Sequence, residues 1–407
     1  MKMTVKSFGL VLMVILLLLL AGTASGSSEQ CKACHSDIYE SWAETDHATT
    51  VGDESLGLSC ENCHSTTYSD GTTANGVQCE RCHEVGPDHL ATGAVTEGMI
   101  DWSADLCGDC HSGGHAGQYD GWKLSGHARS LEITDPKCRS CHVGQSATME
   151  LFNGKTKMPP VDNPQPIDCQ TCHDPHGSAN QNDLRAPLDE ICEKCHTTKD
   201  VKLRGEVEHP QAAMYEGSIM DQYGVKCYDC HAYTNRTGYE PKLLGGHTFK
   251  PAMASCIDPN CHPDKDIEWS ERSVEVAQDA IRDKIEETAA LVNAVDAAIS
   301  NAYPSWDGTA ESIATEDANI NTAVEKFIEA RDKLAFVEGD GSLGFHNRIK
   351  AQKMLEEAQE LAHESIVLLR EEIEVPPVPG EEAETPGFGL VSLLVGFAAV
   401  YLLMRKE

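Results

Sequence analysis

The chain has 407 residues and a formal net charge of −33. Its length allows two or three domains, and acidity on that scale repels nucleic acid and anionic lipid headgroups, so nucleic-acid binding is excluded. A solvated acidic exterior, or a face that docks a basic partner, remains open.

Residues 1–26 have the layout of a secretory signal peptide: Lys2 and Lys6, an apolar run from Phe8 to Leu20, then small residues with cleavage near Ala24 to Gly26. An uncleaved anchor is the alternative, although the run is short for a spanning helix. In both cases the following residues face away from the cytoplasm.

From residue 31 to 262 one pattern recurs, Cys-x-x-Cys-His. It is carried by Cys31, Cys34 and His35; Cys60, Cys63 and His64; Cys79, Cys82 and His83; Cys107, Cys110 and His111. It continues at Cys138, Cys141 and His142; Cys169, Cys172 and His173; Cys192, Cys195 and His196; Cys227, Cys230 and His231. A ninth copy, Cys256, Cys261 and His262, has two extra residues between its cysteines, and with it all 18 cysteines are used. Two thiols so spaced add to the two vinyl groups of one porphyrin edge, and the histidine that follows ligates the iron as proximal ligand. Structural zinc would draw four ligands from two such units, but gives no reason for a histidine after every second cysteine. The pattern therefore predicts nine covalently bound c-type haems. Roughly 26 residues per haem leave too little protein for an ordinary core. The expected fold class is mainly α, with a haem-organised domain of little regular secondary structure over 27–265 whose interior is the macrocycles themselves.

Within that domain the stretches after the first and fourth motifs repeat: Tyr39, Trp42 and His47 match Tyr119, Trp122 and His127 in spacing. The repeat suggests a helical turn whose aromatics cover a haem face while the histidine reaches an iron from above. After the sixth motif, Pro175 and Gly177 set a turn at His176. His176 therefore faces away from the iron of His173 and is expected on a neighbouring haem.

From 266 to 373 cysteine vanishes and apolar residues fall at helical spacing, as at Val274, Ile281, Ile285, Val292, Val295 and Ile299, then Ile320, Val324, Phe327 and Leu334, then Ala351, Leu355, Ala358, Leu361, Ile366 and Leu369. Pro304, Gly308 and the Gly339-Asp340-Gly341 turn separate three helices, predicting an antiparallel three-helix bundle that caps haem edges or, as the family resemblance set out below implies, mediates a homo-oligomer. Residues 374–386 form a stiff Pro/Glu-rich linker. Residues 387–404 are an apolar run closed by Arg405 and Lys406, long enough to act as a C-terminal membrane-anchor helix with its end in the cytoplasm. The segment also resembles the Pro-Gly-Phe sorting signals read by archaeal sortase-like enzymes, which would make the source an archaeon and leave a lipid in place of the tail. Either reading tethers the protein to the outer face of the cytoplasmic membrane.

The Trp-x-x-Ser/Thr-x-His-Ala units at 42–48 and 122–128, the sequence CHDPHG at 172–177, the run 208–231, GGHTFKPAM at 245–253 and GSLGFHN at 341–347 are together similar to one superfamily. It is the multihaem cytochrome c superfamily of pentahaem and octahaem nitrite reductases, hydroxylamine oxidoreductase and its tetrahaem carrier, and the likeness covers roughly 30–370. The resemblance implies that His47, His127, His176, His209 and His247 are distal iron ligands. Nine of the 18 histidines follow cysteines. His89 and His115 complete the set inside the haem region, and seven distal histidines cannot complete nine irons. The remainder must use His346 or His363, take a Met or Lys, or stay open. Met220, standing where the family shows a histidine, is favoured as a packing residue, and His363 as a surface residue; His115 divides evenly between ligand and loop.

Two functions follow. The favoured one is a membrane-tethered extracytoplasmic nonahaem c-type cytochrome passing electrons between a membrane redox system, such as a complex oxidising the quinone pool, and an external partner or acceptor. The alternative is an oxidoreductase acting on nitrite, hydroxylamine or a sulfur oxyanion at one five-coordinate haem. The Cys-x-x-Cys-Lys signature of the pentahaem nitrite reductases is absent. The lengthened ninth motif is read as a tolerated insertion in preference to a catalytic variant.

Overall fold

The protein is represented by a computed structural model, which describes residues 28–375 apart from 51–59, 69, 97, 114–115, 155–160, 197–208, 235–245, 314 and 374. The expected signal segment, the C-terminal anchor, all of the linker except Val375, and His115 lie outside the described residues. Among the described residues no helix is long and apolar enough to cross a membrane.

The chain divides into two compact units, Met1–Lys194 with Lys226–Ile267, and Cys195–Val225 with Glu268–Glu407. The first is built of helical pieces one or two turns long, such as Ser36–Trp42, Cys79–Cys82, Gln118–Lys123 and Cys169–Cys172. Among the described residues its regular sheet is one antiparallel hairpin, β1 (Ser65–Thr67) against β2 (Thr73–Asn75), with Thr66 opposite Ala74. Few apolar residues of this unit are buried by protein alone; they include Trp42, Met99, Val143, Ile167 and Leu184.

The second unit holds three long helices, α1 (Ile267–Ala302), α2 (Ala318–Asp340) and α3 (Arg348–Glu372). No Pro or Gly interrupts α1. Asp317 caps α2 by accepting from the Asn319 and Ile320 amides, and Asn347 caps α3 by accepting from Lys350. Gly341 ends α2 with φ of 69°, a left-handed conformation in which a β-carbon is disfavoured. Lys326 pairs with Glu364, Lys333 with Glu357, and Ser365 donates to the Ala323 carbonyl, so α2 and α3 run antiparallel. Lys284 pairs with Glu356 and Gln359 donates to Thr288, so α1 runs parallel to α3. The arrangement is an up-down-up bundle. Its core gathers Val295, Ile299, Val324, Phe327, Leu355 and Ile366, none more than 2 % exposed.

Candidate functional site

The seventh Cys-x-x-Cys-His motif is a 3-10 turn over Cys192–Lys194; most of the others fold as an α-helical turn, because that turn puts residues i, i+3 and i+4 on one side. The histidine amide closes it by donating to the carbonyl of the first cysteine: His35 to Cys31 at 2.8 Å, His83 to Cys79 at 2.9 Å, His111 to Cys107 at 2.9 Å, His173 to Cys169 at 2.8 Å. The ninth motif keeps this closure despite its two extra residues. His262 donates to the Cys256 carbonyl at 3.0 Å, while a turn held by Cys261 donating to the Asp258 carbonyl absorbs the insertion. None of the described cysteines forms a disulfide. Among the described residues no three His, Cys, Asp or Glu side chains converge as the ligands of a bare metal ion would. Burial pushes the Cys82 and Cys172 thiols up to about 11.

Six of the histidines following the cysteines are oriented through Nδ1. His83 contacts the Met99 carbonyl at 2.8 Å, His142 that of Ser130 at 3.1 Å, His173 that of Asn182 at 2.7 Å and His231 that of Phe249 at 2.9 Å. His64 meets the Thr50 hydroxyl at 2.7 Å and His196 the Gln211 side-chain oxygen at 3.2 Å. An Nδ1–H given to a carbonyl leaves Nε2 with its lone pair, the form that binds iron.

Four of these rings face a second histidine. The centroid separations are 6.0 Å for His35 and His89, 6.0 Å for His111 and His47, 5.9 Å for His83 and His176, and 6.3 Å for His173 and His247. Two imidazoles bound to one iron through bonds of roughly 2 Å would have centres about 6 Å apart, so the spacing fits an iron between each pair. His196 and His209 are closer, 5.2 Å apart with planes at 82°, and His209 has a strained φ of 55°. Burial also lowers the His47 pKa, favouring the neutral ring.

The internal repeat is reproduced in three dimensions. Tyr39 donates to Glu29 and Tyr119 to Asp105, while Lys32 and Lys123 lie over the respective tyrosine rings at 4.7 and 4.4 Å. Trp42 donates to the Val77 carbonyl at 3.2 Å and Trp122 to the Ile167 carbonyl at 2.8 Å. Val77 and Ile167 each stand two residues ahead of a motif cysteine, so each copy clamps the lead-in to another motif. In the second copy His127 packs edge-on to Phe249 at 4.7 Å.

Cysteines of different motifs also meet. Cys31 contacts Cys79, Cys63 contacts Cys110, Cys107 contacts Cys169, and Cys192 contacts Cys227. Ser130, which the sequence reading missed, ties the fifth motif to the sixth: its hydroxyl donates to the His142 carbonyl and accepts from the Ile167 amide, both at 2.9 Å. Of the other candidates, Met220 is half-buried on a short helix, and His363 is exposed on α3. His346 contacts Asp340 through Nδ1 at 2.6 Å, with Tyr215 edge-on at 6.1 Å.

Three family profiles match: cytochrome c552 over residues 205–378, the doubled CXXCH motif over 159–201, and cytochrome c7 and related cytochrome c over 21–84. The chain is 25% identical over 244 residues to the cytochrome c nitrite reductase subunit NrfA of Nitratidesulfovibrio vulgaris, covering 58% of this chain and 44% of that one. It is 24% identical over 300 residues to the C-type polyheme cytochrome OmcB of Geobacter sulfurreducens, covering 54% of this chain and 38% of that one. It thus spans less than half the length of these curated relatives. The crystal structure of the outer cell wall cytochrome OcwA shares the fold, with a TM-score of 0.65 at 20% identity over 84% of this chain and all of that one. With haem-attachment motifs along the chain and cytochrome c profiles matching its beginning, middle and end, the protein is a multihaem c-type cytochrome, its haems held covalently.

Proposed function

We propose that this cytochrome is an electron conduit in which nine haems, most of them ligated by two histidines, relay electrons outside the cytoplasm. The pairing of motif histidines with second histidines about 6 Å away carries the reading. An iron held on both faces by protein has no site for a substrate, and bis-histidine ligation holds a lower potential than Met/His ligation. On this reading His89, His47, His176 and His247 are the distal ligands of the first, fourth, third and sixth haems.

The cysteine contacts support a route. A thioether sulfur marks the edge of its porphyrin, so contacts between Cys31 and Cys79, Cys107 and Cys169, and Cys192 and Cys227 bring haem edges together. Cys82 lies near Cys107, Cys172 near Cys192, and Cys230 near Cys256, which links these pairs. The path runs through the first, third, fourth, sixth, seventh, eighth and ninth haems, with the second branching at the fourth through Cys63 and Cys110. A membrane redox system supplies one end of this path and an external acceptor takes the other. The outer-surface setting of OcwA supports an extracytoplasmic location, and the apolar run at 387–404 supports a tether to the membrane.

Electron paramagnetic resonance of the oxidised, fully loaded protein tests the reading. Predominantly low-spin ferric signals are expected; a stoichiometric high-spin haem whose signal moves on adding nitrite, hydroxylamine or cyanide would replace the conduit with an oxidoreductase.

A further inference from the structure

The turn at 339–346 holds a histidine against a buried carboxylate. His83, His173 and His231 give Nδ1 to neutral backbone carbonyls. His346 faces a carboxylate: its Nδ1 lies 2.6 Å from Asp340 Oδ1, and the Asp340 side chain is 0% exposed. His176 also has a carboxylate nearby, but Asp174 Oδ1 stands 3.5 Å from its Nδ1 and both groups are partly open to solvent.

The local chain builds this contact deliberately. Asp340 is the last residue of α2, and the left-handed Gly341 turns the backbone so that residues 342–346 fold back over it. The Ser342 hydroxyl donates to Asp340 Oδ2, leaving Oδ1 for the histidine, and the same hydroxyl accepts from the His346 amide at 3.0 Å. The carbonyl end of α2 adds its negative partial charge at the same place. Gln211 then joins the group to a motif histidine. Its amide donates to the Gly339 carbonyl at 3.0 Å, and its oxygen meets His196 Nδ1 at 3.2 Å.

On the reading that makes His346 an axial haem ligand, we infer that Asp340, acting through it, lowers the reduction potential of the haem that His346 serves. The inference rests on the conduit reading and adds to it a residue that tunes one of its haems. A charge-assisted hydrogen bond from Nδ1–H to a buried carboxylate gives the imidazole imidazolate character and makes Nε2 a stronger donor. A stronger donor beside a buried carboxylate stabilises ferric over ferrous iron. The haem served by His346 is therefore harder to reduce than it would be with a neutral partner on Nδ1. Asp340 is a positioning residue, since it touches neither iron nor porphyrin.

The test is a spectroelectrochemical titration of the full-length, haem-loaded protein and its Asp340→Asn variant. The amide keeps an oxygen acceptor and loses the charge. One haem should become easier to reduce by at least tenfold in its equilibrium constant, about 59 mV for a one-electron couple, with the other haems, haem content and low-spin signals unchanged. Superimposable titrations would overturn the inference. If Asp340→Asn does not load haem, Ser342→Ala serves instead: freeing Oδ2 should make the carboxylate a stronger acceptor and shift the same haem in the opposite direction, and no shift would refute the idea. His346→Ala separates this inference from the conduit reading. Conversion of one haem to high spin supports ligation; an unchanged spectrum removes His346 as a ligand and leaves the conduit standing.

Discussion

Asp168 stands immediately before the sixth haem motif, and its ionisation should weaken the fold. The residue is 4% exposed; Oδ1 accepts from the Thr171 amide and hydroxyl, each at 3.1 Å, while Oδ2 is buried without a partner among the described residues. Burial outweighs those hydrogen bonds and lifts the carboxyl from 3.8 to about 6. Because the folded value lies above the unfolded one, the protonated acid favours folding, and that contribution is complete below about pH 4 and lost as pH rises through about 6. A displacement of about two pH units corresponds to about 3 kcal/mol. Asp168→Asn keeps the Oδ1 acceptor and cannot ionise, so the variant should gain stability on the parent by up to that amount between pH 4 and pH 7. Urea denaturation of the haem-loaded proteins at pH 4.5, 6 and 7.5, followed by Soret absorbance, measures the difference. Parallel pH profiles for the two proteins would show that Asp168 ionises freely and that the argument from burial fails.

His176→Ala should convert one haem equivalent from low to high spin while mass spectrometry finds every haem still attached, since His176 faces the iron position of His83 across 5.9 Å and has no part in the thioether bonds. Retention of the parent spectrum would take His176 out of the ligand set. In the bundle, Phe327 is 1% exposed and meets Trp306 edge-on at 5.9 Å. Phe327→Ala should therefore cost about 3–5 kcal/mol, seen by circular dichroism at 222 nm as earlier unfolding of the long helices with haem content unaltered.

Local chemistry was legible in the sequence because it needs only neighbouring residues. The motif turns, the paired Tyr-Trp units and the turn at Gly341 follow from spacing and residue type, and the helices lie close to where apolar periodicity puts them. The histidine pairs were not legible. His47, following the first motif, stands over the fourth, while His176, following the sixth, turns back to the third. Such pairs join residues far apart in sequence, and the folds that bring them together run through backbone contacts that no side-chain pattern announces. The Nδ1 partners were hidden for the same reason, since Met99, Ser130, Asn182 and Phe249 contribute carbonyls that any residue could supply. Asp340 was within reach: six residues and a glycine turn separate it from His346, but the sequence reading treated 339–341 only as a helix break.

The contrast between the two units explains why haem attachment and folding must proceed together. In the helical unit, Phe327, Ile320, Leu355 and Ile366 are each at most 1% exposed, and burying such side chains contributes about 1.5–3 kcal/mol apiece. That unit closes on its own apolar surface. The unit rich in motifs buries Trp42, Met99, Ile167 and Leu184 at scattered points, and its helices are too short to persist alone in water. Trp42 and Trp122 are clamped to the approaches of other motifs, so even these few contacts become useful only once distant segments are brought together. The organising contacts must therefore come from the macrocycles, each of which joins two cysteines and a histidine to residues elsewhere in the chain. A chain of this kind cannot first fold and then be filled. On the conduit reading, the same economy that leaves so little polypeptide between haems is what would bring their edges close enough for electrons to pass.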